Sequence, residues 1–433
     1  MQLTEHRPTL AGFARLARIA RLSVRFVLVS AFASASFAVS SPASADDEAA
    51  GAVSHAKPST SAPKLEDGST KRATFEMATY ADSDHITVYS PSVAASVENV
   101  TQGMSLRGSY LVDVVSAASV DIISTASPGW HEVRHAGTIE TEYKPHEFGV
   151  TIGGSVSSEP DYLSYGLGFA VAQDFDEKNT TLTAGYGYGH DTASRGPTPF
   201  AVFSRIIEHS TLNLGLTQVV NKSTVASVSG DMILDSGDQS KPYRYIPMFS
   251  PDVAAQVPRG ASIQAVNANR LPEAPLEQLP LNRQRYAVTG RLGHRFDAST
   301  IRLEERVYVD SWLLVASTTD ARWIFDAGRR FAIWPHAHFH MQSGVDFWKR
   351  AYVSNNVNGS WDLPEFRTGD RELGPLRTIE GGGGIRAFLG SNADPQAWSL
   401  TLQGDAMYTD FLDDIFTTSR TGFLGTLSFE GEL

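Results

Sequence analysis

From Arg72 onward the chain repeats with a period of two, segment after segment, each about ten to fourteen residues long. Met104, Leu106, Gly108, Tyr110, Val112 and Val114 alternate with Ser105, Arg107, Ser109 and Asp113; Phe148, Val150, Ile152, Gly154 and Val156 alternate with Gly149, Thr151 and Gly153. The same holds for Tyr286, Val288, Gly290, Leu292, His294 and Phe296, and for Trp398, Leu400, Leu402, Ala406 and Tyr408. Side chains of a strand point alternately to its two faces, so each segment is oily on one side only. No convincing amphipathic helix competes with this pattern, and no apolar run of about 18 residues follows the N-terminus.

One-sided segments of this length, with aromatics near their ends, suit a transmembrane β-barrel; a soluble sandwich uses shorter strands. The polar faces sharpen the choice. Arg302, Glu304, Arg306, Tyr308 and Asp310 share one face of a strand, and Arg283, Arg285, Thr289, Arg291 and Arg295 share one face of its neighbour. Charges so arranged face bulk water or a wet lumen, not lipid or a dry core. Glu305 falls on the apolar face, which predicts a bulge, a shifted register or a place near the membrane interface.

The pattern places strands at 74–81, 85–95, 102–115, 131–144, 147–158, 161–173, 179–190, 204–217, 223–235, 284–296, 299–312, 317–327, 331–343, 376–389, 397–410 and 420–433. The expected fold is therefore all-β, an antiparallel up-and-down transmembrane barrel of about 16 strands, with 14 as the alternative; merging the hairpin at Asp82-Ser83-Asp84 would make the count odd and put the N-terminus outside. The long connections, 116–130, 191–203, 236–283 and 344–375, all follow odd-numbered strands. Short turns on the periplasmic side and long loops outside are the outer-membrane arrangement.

Arg15, Arg18, Arg21 and Arg25, then the apolar and small residues from Phe26 to Val39, then Ala43-Ser44-Ala45 read as a signal peptide over 1–45. Residues 46–72, rich in Ala, Ser, Pro and charges, read as a flexible periplasmic tail, and 73–433 as the barrel. The localisation expected is the outer membrane of a Gram-negative-type cell. The formal net charge of −12 becomes more negative when the Arg-rich leader leaves, which makes nucleic acid an improbable partner. Cysteine is absent, so disulfides, thiolate metal sites and cysteine nucleophiles are excluded. Phe423, Leu427, Phe429 and Leu433 share a face of the last strand, a feature by which barrel-insertion machinery recognises its clients; terminal Leu stands where Phe or Trp is usual.

Several short motifs recur in order: Asp113-Val114-Val115-Ser116-Ala117-Ala118-Ser119-Val120-Asp121, Ser158-Glu159-Pro160-Asp161-Tyr162, Asn179-Thr180-Thr181, Pro242-Tyr243-Arg244 and Arg306-Val307-Tyr308-Val309-Asp310-Ser311-Trp312. Together they resemble the motif series of an uncharacterised bacterial family of exported proteins held to be outer-membrane β-barrels, over about Asp113 to Tyr352. Phe339-His340-Met341-Gln342 departs from that family's paired aromatic before a Gln. The resemblance implies a barrel and names no substrate.

Three groups carry candidate chemistry. Arg283, Arg285, Arg291, Arg295, Arg302, Glu304, Arg306 and Asp310, with Asp320 and Arg322 across the next hairpin, form either a selectivity constriction or a lattice of ion pairs stiffening the wall. His336, His338 and His340, at alternate positions, point to one side as lumen-facing polar residues or as part of a zinc or copper site completed by a bulge or a neighbouring carboxylate. Asp113, Ser116, Ser119 and Asp121 offer oxygens to calcium or are ordinary turn residues. No G-x-S-x-G elbow is present, and Gly381-Gly382-Gly383-Gly384 interrupts a strand instead of cradling phosphate. The expected function is a non-enzymatic, porin-like channel for small solutes among outer-membrane lipids, without a cofactor. The alternatives are a plugged barrel that acts through its long loops as a structural or surface-interaction protein, and a lipid-modifying enzyme. The Pro-rich segment 236–283 suits a lid, a constriction or an adhesive loop.

Overall fold

The computed structural model describes residues 68–115, 132–195, 198–357 and 360–433. The expected signal peptide, most of the tail, and Ser116, Ser119 and Asp121 lie outside the described residues.

Sixteen antiparallel strands close into one barrel. In the first half these are β1 (Ser69–Asp82), β2 (Thr87–Asn99), β3 (Met104–Val115), β4 (Glu132–Tyr143), β5 (Phe148–Glu159), β6 (Tyr162–Phe175), β7 (Thr180–Ala193), β8 (Arg205–Asn221) and β9 (Thr224–Gly237). The second half comprises β11 (Asn282–Arg295), β12 (Ser299–Asp310), β13 (Val315–Asp326), β14 (Phe331–Gln342), β18 (Leu376–Phe388), β19 (Trp398–Phe411) and β20 (Ser419–Glu432), which returns to pair with β1. Closure leaves no sheet edge, so every strand backbone finds its ladder partners within the wall. Each expected strand overlaps one of these sixteen, with ends displaced by a few residues. β1 starts at Ser69, inside the expected tail.

The hairpin at Asp82 exists because that side chain caps it. Asp82 Oδ1 accepts from the backbone N–H groups of Asp84 and Ile86 at 2.9 and 3.0 Å, and His85 takes the left-handed conformation the tight turn requires. The strand count is therefore sixteen. The long connections, 116–131, 194–204, 238–281 and 343–375, all leave the barrel from the same end, as the sequence predicts.

The apolar stripe of each strand is the outer one. Leu167, Ile139 and Ile379 are 68, 61 and 59% exposed, and Phe75, Ile152, Leu214, Val288, Leu402 and Phe423 are exposed in the same way. A continuous greasy belt of this kind requires an apolar surrounding. Glu305 is an outward residue at mid-strand, and its register with β11 and β13 is unbroken, so the expected bulge or shift does not occur. Its carboxylate instead accepts from Ser317 Oγ at 2.5 Å and Thr319 Oγ1 at 2.6 Å on the outer face of β13. The four glycines from Gly381 to Gly384 do not interrupt a strand either: β18 runs through them.

Two long loops build a cap at one end of the barrel. The loop 238–281 contains β10 (Met248–Phe249), α1 (Pro251–Ala254) and α2 (Ile263–Asn269); the loop 343–375 contains β15 (Tyr352–Val353), β16 (Asn355–Val357) and β17 (Ser360–Asp362). β10 pairs in parallel with β15, and Ile246 and Met248 are buried against Tyr352. Phe249, Val257, Ala261 and Val266 pack on Ile415 from the β19–β20 connection. Leu279 and Val345 pack on Trp312, Leu314 and the inner-face Ala316. Gln342 donates from the inner face of β14 to the Glu372 and Gly374 carbonyls, so the second loop seats inside the rim.

Candidate functional site

All ten expected lumen residues lie on inner faces, and the wall brings most of them to partners of opposite charge. Arg283 donates to Asp310 at 2.8 Å, Arg285 to Asp235 at 2.8 Å, Arg291 to Glu304 at 2.7 Å and Arg306 to Asp231 at 3.2 Å; Arg295 pairs with Asp326. Arg322 sits over the Trp334 ring, 5.9 Å from its centroid, and is the direct cross-strand partner of Arg302. Asp320 accepts from two histidines. The pairing favours the wall-stiffening lattice for most of these arginines. Arg291 keeps its side chain 44% exposed on the inner face, so its charge remains available to the lumen. Asp113, proposed for calcium, accepts from Arg134 Nε at 2.7 Å.

The carboxylate partners Asp231, Asp235 and Asp326 were not picked out from the sequence. A signal for two of them is present, because Asp231 and Asp235 share the inner face of an expected strand. His209 was also missed. Its Nδ1 lies 2.6 Å from Asp235 and its Nε2 2.7 Å from Asp191, which places one imidazole between carboxylates of the two flanking strands. Tyr162 donates to the same Asp191.

The histidine row resolves unequally. His336 and His338 join a cluster across β13, β14, β18 and β19, whereas His340 stands apart, 3.0 Å from Gln342 and 3.5 Å from Thr318. Asp320 Oδ2 lies 2.9 Å from His336 Nε2 and 2.8 Å from His338 Nδ1. His336 Nδ1 lies 2.9 Å from Asp405 Oδ1, although β18 runs between their strands. The residue between them is Gly382, paired with His336 on one side and Asp405 on the other. Any Cβ there would run into the Gly404 carbonyl and Asp405 Oδ1, so the bare backbone is what lets the two side chains meet. One row further along, Glu380 faces His338 directly. His338 is 5%, Glu380 6% and Asp405 2% exposed. His338 Nε2 is buried without a hydrogen-bond partner.

The cap has its own charge network. Arg244 Nη1 lies 3.1 Å from Glu277 and 2.9 Å from Asp370, and Thr368 donates to Glu277 at 2.6 Å. Burial pushes the Asp370 carboxyl up, but the Arg244 guanidinium outweighs it and holds the group below the usual carboxylate range. Burial also pushes the Tyr352 phenol up to about 12, so it stays a neutral donor to the Phe347 carbonyl at 2.9 Å. The cap is tied to the wall by Arg371 on Asp84 at 2.6 Å and by Arg259 on Asp410.

Several solved barrels are similar in form. CdiB from Acinetobacter baumannii aligns with a TM-score of 0.46 at 10% identity, over 84% of this chain and 60% of that one. The siderophore receptor PirA from Acinetobacter baumannii aligns with a TM-score of 0.40 at 12% identity, over 80% and 53%. A BenF-like porin from Pseudomonas fluorescens Pf-5 aligns with a TM-score of 0.41 at 9% identity, over 86% and 100%. The chain thus spans a little over half the length of the first two. No curated protein matches the sequence. The model of a protein family of unknown function, DUF3570, matches residues 117–392, more than half of the chain, and the chain belongs to that family.

Proposed function

We propose that the protein is an outer-membrane barrel that gives small solutes a restricted aqueous passage. The observation that carries this reading is the wetness of the inner face away from the cap. Ser109 and Thr138, whose hydroxyls lie 2.6 Å apart on the inner face, are exposed, as are Ala94 and Arg291. A filled interior, packed to the density of a protein core, would bury them. The outer apolar belt supports a membrane setting, and the outward Phe423, Leu427 and Phe429 of β20 are the surface that barrel-insertion machinery would read.

The passage is lopsided. The wall from β2 to β4 sets Ser92, Ser96, Ser109 and Thr138 among the charges of Arg107, Arg134, Glu140 and Glu142, while the wall from β9 to β14 carries the arginine–carboxylate lattice and lies under the cap. Purified, folded protein in planar bilayers is expected to conduct small ions. Arg291→Ala should shift the reversal potential in a salt gradient toward cation preference, because one exposed positive charge leaves the lumen face and Glu304 loses the Arg291 guanidinium. Absence of conductance, together with no solute-driven swelling of liposomes, would remove the channel reading. A second reading has its own support in the hydrophobic core of the cap: a surface-interaction protein whose partner binds the two packed loops. It requires loss of partner binding when 238–281 is deleted, with no effect of Arg291→Ala.

A further inference from the structure

We propose that His336, His338, Glu380 and Asp405 form a binding site for a divalent transition-metal ion of zinc type, with Asp320 orienting both imidazoles. The site goes beyond the channel reading and does not depend on it.

His336, Glu380 and Asp405 each place one donor atom within 4.8 Å of the others, and all three are buried. Ligands of one tetrahedral ion, each about 2.0–2.2 Å from the metal, stand roughly 3.3 Å apart, so a modest contraction gathers them. The fourth donor is His338 Nε2. Its ring has Nδ1 committed to Asp320 on β13, so Nε2 points away from that strand; on the other side of β14, the residue paired with His338 is Glu380. A buried imidazole nitrogen without a partner leaves a polar atom desolvated and uncompensated, and a metal ion would satisfy it.

Asp320 supplies what metal-binding histidines ordinarily need, a carboxylate on the far ring nitrogen. It holds His336 by Nε2 and His338 by Nδ1, which fixes both rings and leaves His336 Nδ1 on Asp405 and His338 Nε2 turned away from Asp320. The charge balance points the same way. Asp320, Glu380 and Asp405 bring three carboxylates together, and Arg322 adds one positive charge from the far end of the row that runs through His336 and Gly382 to Asp405. With neutral imidazoles, a dication offsets the two negative charges that remain. Two nitrogens and two oxygens are a borderline donor set: imidazole suits zinc, copper and nickel, whereas calcium and magnesium prefer oxygen alone. Gly382 is part of the site because its missing side chain is the space in which His336 and Asp405 approach.

The test uses the full barrel, purified in detergent, stripped with a chelator and titrated with zinc chloride alone, with folding of each variant checked by heat-modifiable gel migration. One equivalent of zinc is expected. His338→Gln and Glu380→Gln should each weaken uptake at least tenfold, and Asp320→Asn by roughly ten- to a hundredfold through lost orientation. His340→Gln, next in the row but outside the cluster, should bind as the unaltered protein does. Cobalt(II) added to the unaltered protein should give the visible absorption of a four-coordinate nitrogen–oxygen site, a readout independent of whether any variant folds. The proposal is overturned by absence of that absorption, by zinc uptake equal in His338→Gln and the unaltered protein, or by calcium binding as tight as zinc.

Discussion

Gly382 shows how a single absent side chain shapes this wall. A strand normally separates the side chains of its two neighbours, and here the separation vanishes at one position, so β14 and β19 communicate through β18. Substitution by alanine gains the small helix-independent benefit of a less flexible unfolded chain, but the added methyl meets the Gly404 carbonyl and the Asp405 carboxylate. Overpacking of this kind costs about 1–3 kcal/mol. Gly382→Ala should therefore lower the urea midpoint of the folded barrel and break the His336–Asp405 contact. Gly381→Ala, one residue away on the outer face with only the His336 carbonyl near its Cβ at 4.0 Å, should leave the midpoint unchanged. Equal effects of the two substitutions would show that strand flexibility, not the packing at Gly382, is what the glycines provide.

At the level of a strand, Glu305 poses the opposite problem, a charge on the face that otherwise meets lipid. Two hydroxyls from β13 hold it, and the ladder around it is regular. Ser317→Ala combined with Thr319→Ala should destabilise the barrel by about 1–3 kcal/mol, since the carboxylate then lacks its side-chain donors. Glu305→Gln, whose carbonyl accepts from one hydroxyl while its amide N–H donates to the other, loses the charge and should leave stability equal or higher, as read by urea unfolding in lipid vesicles. The strands themselves were legible in the sequence because lipid on one side and water on the other impose a local, period-two rule on every segment. Asp405 was not legible as the partner of His336, because their meeting depends on which strands become neighbours and on a glycine that looks like a turn residue. His340 was misplaced with the other two histidines for a related reason: alternation fixes its face, but the partners Gln342 and Thr318 fix its role. Glu305 defeated the alternation rule itself, and only the hydroxyls of the next strand explain it.

For the whole molecule, the cap packs on one end of the barrel, and its own stability rests on a buried charge network. Asp370 sits between the Arg244 guanidinium and the backbone N–H of Glu372, with Glu277 on the other side of Arg244. Because its folded value is depressed, the stability it contributes is complete above the unfolded carboxylate value near pH 4 and is lost as pH falls through the lower folded value. The cap should therefore hold from neutral pH down to about 4 and loosen below that. Amide hydrogen exchange of peptides from 343–375, corrected for the intrinsic rate at each pH, is expected to stay slow at pH 7 and 5 and to accelerate at about pH 3. In Asp370→Asn the extra acceleration between pH 5 and 3 should shrink, since the neutral amide gains nothing from ionisation. If the cap also gates the passage, conductance should rise over the same interval in the unaltered protein. Exchange that accelerates equally in both proteins would place the acid sensitivity on Glu277 or on the wall contacts of Arg371 and Arg259 instead.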